Sequence, residues 1–260
     1  MPFEPREGNA VIAVKDVYGT ILWSWHIWVT GYDPVSTQQK YISGATMMDR
    51  NLGALTIADY DPRTYGLVYQ WGRKDPFVGA VDSWNLATTY PDNTNPYATN
   101  CYDYNYSINN PTVSLVGADW NRNSNLWSSD KTIYDPCPAG WRVPDQNAWS
   151  GIPSWDYGYW GNGGSLSKIG SPYSEPEAYY YCGGWIGGYK DINEFNSSSI
   201  CHTVTHANED YTITMRIYDS FSNSDSRFKD YQIPVRCMKD AGGAEGDNEN
   251  IGKNEGDYEW

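Results

Sequence analysis

Cys137-Pro138-Ala139-Gly140-Trp141-Arg142-Val143-Pro144 is the stretch that decides the fold. It places a large ring in the core, and Pro144 then stops a strand or starts a helix. A short helix follows, with Asp145 capping Gln146-Asn147-Ala148-Trp149. Around this stretch the chain favours strands and turns. Residues 1–30 contain a Trp-rich hairpin: Ala10–Val14 and Ile21–Val29 are apolar runs on either side of the turn chemistry of Asp16 to Gly19. Alternation puts Trp23, Trp25, Ile27 and Val29 on one face of the second strand and Ser24, His26 and Trp28 on the other, with His26 read as a hydrogen-bonded strand residue. Tyr211–Tyr218 alternates cleanly, and Tyr231–Met238 reads as a last strand with Pro234 at an edge or end. From Asp59 to Ser129 the composition is turn-like throughout, and no repeat is present.

The fold class expected is α+β, β-dominated and loop-rich, in one domain over residues 1–239. Residues 240–260 form an acidic tail whose Trp260 is a candidate to tuck onto the body. That tail holds seven acids and one lysine, a formal −6 of the total −14. Hydrophobic residues at 40% supply a real core. No apolar run is long enough for membrane insertion, and the acidity argues against nucleic acid. Rings with a polar handle dominate, 13 Trp and 23 Tyr against 5 Phe, which suits half-wet surfaces and interfaces. The start, Met1-Pro2-Phe3-Glu4-Pro5, has no charged n-region or apolar h-region, so a cytosolic chain and one whose leader lies outside this sequence both stay open here. Five cysteines without a CxxC pair fit two bridges and a spare thiol, or buried thiols.

Four motifs occur in order: Met48-Asp49-Arg50-Asn51-Leu52-Gly53-Ala54, the run from Tyr65 through Gln70-Trp71-Gly72-Arg73-Lys74-Asp75 to Phe77, the Cys137–Pro144 stretch, and Pro234-Val235-Arg236-Cys237. Over residues 9–240 they resemble the fibrobacter-type major paralogous domain, a branch of the C-type lectin-like superfamily. With the Trp-rich hairpin they look like the C-terminal domain of Bacteroidetes fimbrillin-family proteins of type V pili. The resemblance implies a C-type lectin-like fold with few short helices. It makes Trp23, Trp25, Trp71, Trp141 and Trp149 scaffold. Cys137 and Cys237 sit in the most family-like motifs and are a candidate bridge, closing a loop worth about 4–5 kcal/mol in the chain-entropy model. Cys182 and Cys201 are a candidate second, local bridge, with Cys101 left over; all five reduced is the alternative.

The resemblance does not by itself confer sugar binding. Glu175-Pro176-Glu177 half-matches the calcium loop of related lectins. The late Trp-Asn-Asp motif is absent, since Trp84-Asn85 precedes Leu86 and Trp120-Asn121 precedes Arg122. The paired late cysteines of formylglycine-generating enzymes, HExxH, a Walker loop and a Ser elbow are also missing. Cys201-His202 with His206 lacks a fourth ligand. No cofactor, metal or catalytic residue is therefore expected, and the chain reads as a non-enzyme.

Residues 178–231 mix Tyr, Ser, Asn and Gly as antibody paratopes do. The candidate contact residues there are Tyr180, Tyr181, Trp185, Tyr189, Asn193, Asn196, His202, His206, Asn208, Tyr218, Phe221 and Asn223. This segment also resembles the variable stretch of lectin-like proteins diversified by retroelements; if Cys182 and Cys201 arose that way, they need not be a bridge. The expected function is a cell-surface adhesion domain, the C-terminal part of a pilus tip or fimbrillin-family adhesin. Its partners would be a glycan or protein on host or neighbouring cells, and other pilus subunits through an N-terminal module outside this sequence. A phage receptor-binding protein, a formylglycine-generating-like enzyme and a structural pilin are the alternatives.

Overall fold

The computed structural model describes residues 6–58, 61–79, 96–99, 104–117, 125–152, 164–168, 177–188, 192–195, 197–218 and 221–242, with the backbone alone for 164–168, 177, 218 and 221–223. The expected tail beyond residue 242, with Trp260, lies outside the described residues. So do Cys101, Tyr189, Asn196, both Trp-Asn pairs and Glu175-Pro176.

Strands β1 (Gly8–Lys15) and β2 (Ile21–Val29) form the hairpin, and the short β3 (Gln39–Lys40) and β4 (Thr46–Met47) follow. Next come β5 (Leu67–Tyr69), β6 (Phe77–Val78), β7 (Tyr97–Thr99), one short helix α1 (Tyr104–Asn109), β8 (Ser114–Val116) and β9 (Trp141–Arg142). The rest comprises β10 (Gly164–Lys168), β11 (Glu177–Tyr181), β12 (Trp185–Ile186), β13 (Ile192–Asn193), β14 (Ser199–His206), β15 (Tyr211–Tyr218), β16 (Phe221–Phe228), β17 (Ile233–Pro234) and β18 (Met238–Lys239). The architecture is β-dominated, and no helix of the described residues is long and apolar enough to cross a membrane.

A four-stranded sheet, β3-β4-β18-β9, joins the third motif to the residues that flank the first and the fourth: Met238 pairs with Met47 on one side and Arg142 on the other. β17-β5-β6 joins the second motif to the fourth, and β14-β15-β16 is a meander beside them. The expected strand Tyr231–Met238 is two short ones: Pro234 ends the pairing with β5, and between the two the Val235 and Cys237 carbonyls accept from Leu52 and Met48 N–H instead. Gly66 takes φ +73°, and a Cβ there would lie 2.7 Å from the Leu52 carbonyl that accepts from Leu67 N–H.

Two large apolar clusters fill the body, beside a small one of Val68, Phe77 and Ile186. One surrounds Tyr41, Met47, Trp149, Tyr180 and Met215; the other joins Met48, Trp71, Trp127, Trp141 and Val235 around a Cys137–Cys237 disulfide. Cys182 and Cys201 are two separate buried thiols, not a second bridge. Burial pushes them up to about 12 and 11 respectively, so both stay protonated and unreactive.

The hairpin corrects the assignment of Trp25 to the core. Ser24 is buried and His26 and Trp28 are half-buried against the body, whereas Trp25, Ile27 and Val29 face out at 48, 37 and 39% exposure. Across the register, Ile12 pairs with Trp25 and is exposed too. Both faces carry indoles, and Ser24 decides which turns in: its hydroxyl donates to Asp75 Oδ1 at 2.7 Å and accepts from Lys74 Nζ at 2.5 Å. A buried ion pair needs such partners more than a Trp needs burial.

Candidate functional site

The late segment does not form the expected contact surface. Tyr180, Tyr181 and His202 are corrected to core: each is at most 3% exposed. The Tyr180 hydroxyl accepts from Trp149 Nε1 at 2.9 Å and shares a short bond with Tyr41, while Arg236 stacks on its ring at 3.9 Å. Nε2 of His202 donates to the Tyr69 carbonyl at 2.9 Å, and burial lowers the ring to about 4, leaving it neutral. Cys201 and His202 are neighbours on a strand, so they enter different surroundings: Cys201 the Tyr180 cluster, His202 the edge of Trp127 at 5.4 Å. Among the described residues no three His, Cys, Asp or Glu side chains converge as a metal site.

Trp185 is half-buried, stacked on Tyr231 at 4.5 Å with Arg227 5.3 Å from its ring, and Asn193 is its cross-strand partner. His206 and Asn208 are exposed, but Asn208 is spent on a turn, accepting from the N–H groups of Asp210 and Tyr211. Tyr218 and Phe221 pair where β15 meets β16, and Asn223 lies opposite Arg216; the side chains of these three lie outside the described residues. The candidates are thus scattered between core, turn and a few half-exposed positions.

A cleft of about 800 Å³ lies elsewhere, between β2 and residues 131–138. Trp23, Ser24, Trp25 and His26 form one wall; Lys131, Ile133, Asp135 and Pro136 to Pro138 form the other, with Lys74 between. The second wall is held by its own bonds. Asp135 N–H donates to the Thr132 carbonyl at 3.1 Å, closing a turn that holds Ile133 out at 71% exposure. The Asp135 carboxylate accepts from Lys131 Nζ and from the Cys137 and Val143 N–H groups, all at 2.8–2.9 Å. Burial raises its pKa, a shift that Lys131 and those donors oppose.

The β2 wall is held as firmly. Lys74 Nζ donates to the Ser24 carbonyl at 2.9 Å, to the Ser24 hydroxyl and to Asp75 Oδ2 at 2.6 Å, and lies 4.5 Å from the Trp23 ring centre. Both His26 nitrogens are engaged, Nε2 with Asn9 at 2.9 Å and Nδ1 with the Tyr69 hydroxyl at 3.3 Å; burial lowers the ring to about 4 against the pull of Asp75.

The chain matches no family model, no curated protein and no solved structure. The chemistry of the cleft therefore has to be read from its own residues. Its carboxylates, lysines and imidazole are occupied by structural bonds, and its exposed groups are rings and aliphatic side chains. Such a site holds a ligand by contact area and shape. Sequence reasoning missed Ile133, Pro136 and the role of Trp25, because a wall made by two segments a hundred residues apart leaves no local pattern. The one usable signal was Trp on both faces of β2, which forces at least one indole outward.

Proposed function

We propose that this chain is the ligand-binding domain of a cell-surface adhesin, C-type lectin-like in fold and of the fimbrillin, type V pilus kind, acting without covalent chemistry. The observation that carries this is the cleft between β2 and residues 131–138: rigid walls, engaged polar groups, and Trp25 and Ile133 presented to solvent. The lectin-like reading draws support from the way the motifs gather, with the Cys137–Cys237 bridge beside the sheet that joins Met47, Arg142 and Met238. The partner is a glycan or protein on a host or neighbouring cell, engaged at the cleft rather than on the late segment.

The test is a glycan and cell-surface protein array probed with the whole chain, beside Trp25→Ala with Ile133→Ala. We expect binding by the wild type and at least a tenfold loss in the variant; equal binding by both excludes the cleft. A structural pilin is the second reading. Ile12, Val14, Trp25, Ile27 and Val29 form an exposed apolar face on the hairpin that a neighbouring subunit would cover.

A further inference from the structure

We propose that the cleft takes a short, extended, uncharged segment of a partner polypeptide, which adds as a strand to the outer edge of β2 with an apolar side chain between Trp25 and Ile133. This rests on the reading of the cleft as the ligand site.

Four consecutive residues of β2, Trp23 to His26, line the cleft, so it follows a strand edge rather than a sheet face. The Ser24 carbonyl accepts from Lys74 and so points away from β1. The N–H and C=O of one residue in an antiparallel pair point the same way and alternate along the strand. Those of His26 therefore point the same way as those of Ser24 and are the groups left for a partner strand, the Ser24 carbonyl being held by Lys74. Among the described residues no backbone–backbone bond reaches this edge from outside the hairpin. The edge has no proline or bulge between Trp23 and Val29, although helix α1 packs against β2 and Lys74 covers the edge at Ser24. Strand addition on such an edge draws affinity from main-chain hydrogen bonds and selectivity from pockets for alternate side chains.

The side chains select a peptide over a sugar. A glycan needs several free donors and acceptors around an aromatic platform. Here the three protons of Lys74, both His26 nitrogens and the Asp135 oxygens are already used. Lys131 is likewise engaged, donating to Asp135 Oδ1 and to the Cys137 carbonyl. Charge matching points the same way. Lys74 is neutralised by Asp75 and Lys131 by Asp135, so an uncharged segment meets no unpaired charge in a molecule that is otherwise −14. A second copy fits worse. A cleft of this volume is the size of a small-ligand pocket, about 300–1,000 Å³, whereas two folded bodies need about 800 Å² on each partner.

The test uses the whole chain and a set of acetylated, amidated heptapeptides with Val, Ile, Leu or Trp at alternate positions and Ser, Thr or Gln between them. Each peptide has a counterpart carrying N-methyl groups on its central amides, and a glycan array is run in parallel. We expect binding by some of the set, at least a tenfold loss on N-methylation, and at least a tenfold loss with Ile133→Asp. Ile133 is 71% exposed, so that variant keeps its fold, checked by an unchanged melting curve. Peptide binding indifferent to N-methylation overturns strand addition. Glycan binding that is lost in Ile133→Asp, without peptide binding, overturns the ligand class but leaves the cleft as the site. Concentration-dependent dimers abolished by Ile133→Asp, again without peptide binding, make the occupant a second copy. Binding of any probe that Ile133→Asp leaves unchanged overturns both the inference and the reading beneath it, as does a chain that binds neither probe set.

Discussion

His202 shows how burial changes what a residue does. Its ring is fully buried, held by the Tyr69 carbonyl and the edge of Trp127, and its pKa falls to about 4 from 6.5. A histidine whose folded pKa is depressed binds fewer protons in the native state than in the unfolded chain. Stability is therefore full above about pH 6.5, declines as pH falls through the window, and levels off near pH 4. The loss attributable to this ring is about 3 kcal/mol across that window. Urea midpoints taken between pH 7 and 4.5 should drop accordingly, and His202→Gln should flatten that slope whatever it does to stability at pH 7. An equal slope in the variant would assign the acid sensitivity to other groups. His26 titrates in the same direction but is half-exposed, so its share is smaller. In the sequence His202 reads as a candidate contact residue. An alternating strand gives no clue to burial when both of its faces are covered, as they are at Ser199–Thr203.

Helix α1 depends on a residue from another element. Its six residues, Tyr104–Asn109, have no apolar stripe, and the region reads as turns. What closes its C-terminal end is the buried guanidinium of Arg73. Nη1 donates to the Val113 carbonyl at 2.6 Å and Gln70 Oε1 at 3.1 Å; Nη2 donates to the carbonyls of Asn110 and Pro111, with Ser107 at 3.4 Å. Burial lowers Arg73 to about 10, so it remains a cation at neutral pH and its donors stay strong. Arg73→Leu should cost about 3 kcal/mol or more, because carbonyls that lose their donor stay buried. Hydrogen exchange should rise first over residues 104–113, and Arg73→Lys should recover only part of the protection, since an ammonium cannot span the same fork of acceptors. Uniform exchange across the chain in Arg73→Leu would deny it this local role. Other elements were legible where their determinants are local: the hairpin and its Asp16 turn, the Asp145 cap on a single 3-10 turn at Gln146–Trp149, and the alternation of Tyr211–Tyr218. The facing of β2 was not, because it is decided by Lys74 and Asp75, fifty residues away.

At the scale of the whole molecule, the decisive link is the Cys137–Cys237 bridge, whose ends lie 100 residues apart. It ties the cleft wall to the last strands, which Met48 N–H and Leu52 N–H also grip through the carbonyls of Cys237 and Val235. Closing a loop of that length removes about 4–5 kcal/mol of freedom from the unfolded chain. Domains of this kind retain about 5–15 kcal/mol in total. The Cys137→Ser, Cys237→Ser double variant should therefore sit near the limit of stability, with a urea midpoint far below the wild type. Two further readouts separate chain entropy from local packing. If the bridge acts through the unfolded state, the native cleft survives its loss, and the variant at low temperature should bind the same probes with unchanged affinity. If instead it holds Pro136 to Pro138 in place, affinity should fall before stability does. Thiol labelling supplies the internal check. Cys182 and Cys201, buried and protonated, should stay unlabelled while the variant is folded and become labelled as it opens, so their labelling rate reports the unfolding free energy directly. A midpoint shift smaller than about 1 kcal/mol would mean that the Met48–Trp71–Trp141 cluster alone holds the two ends together.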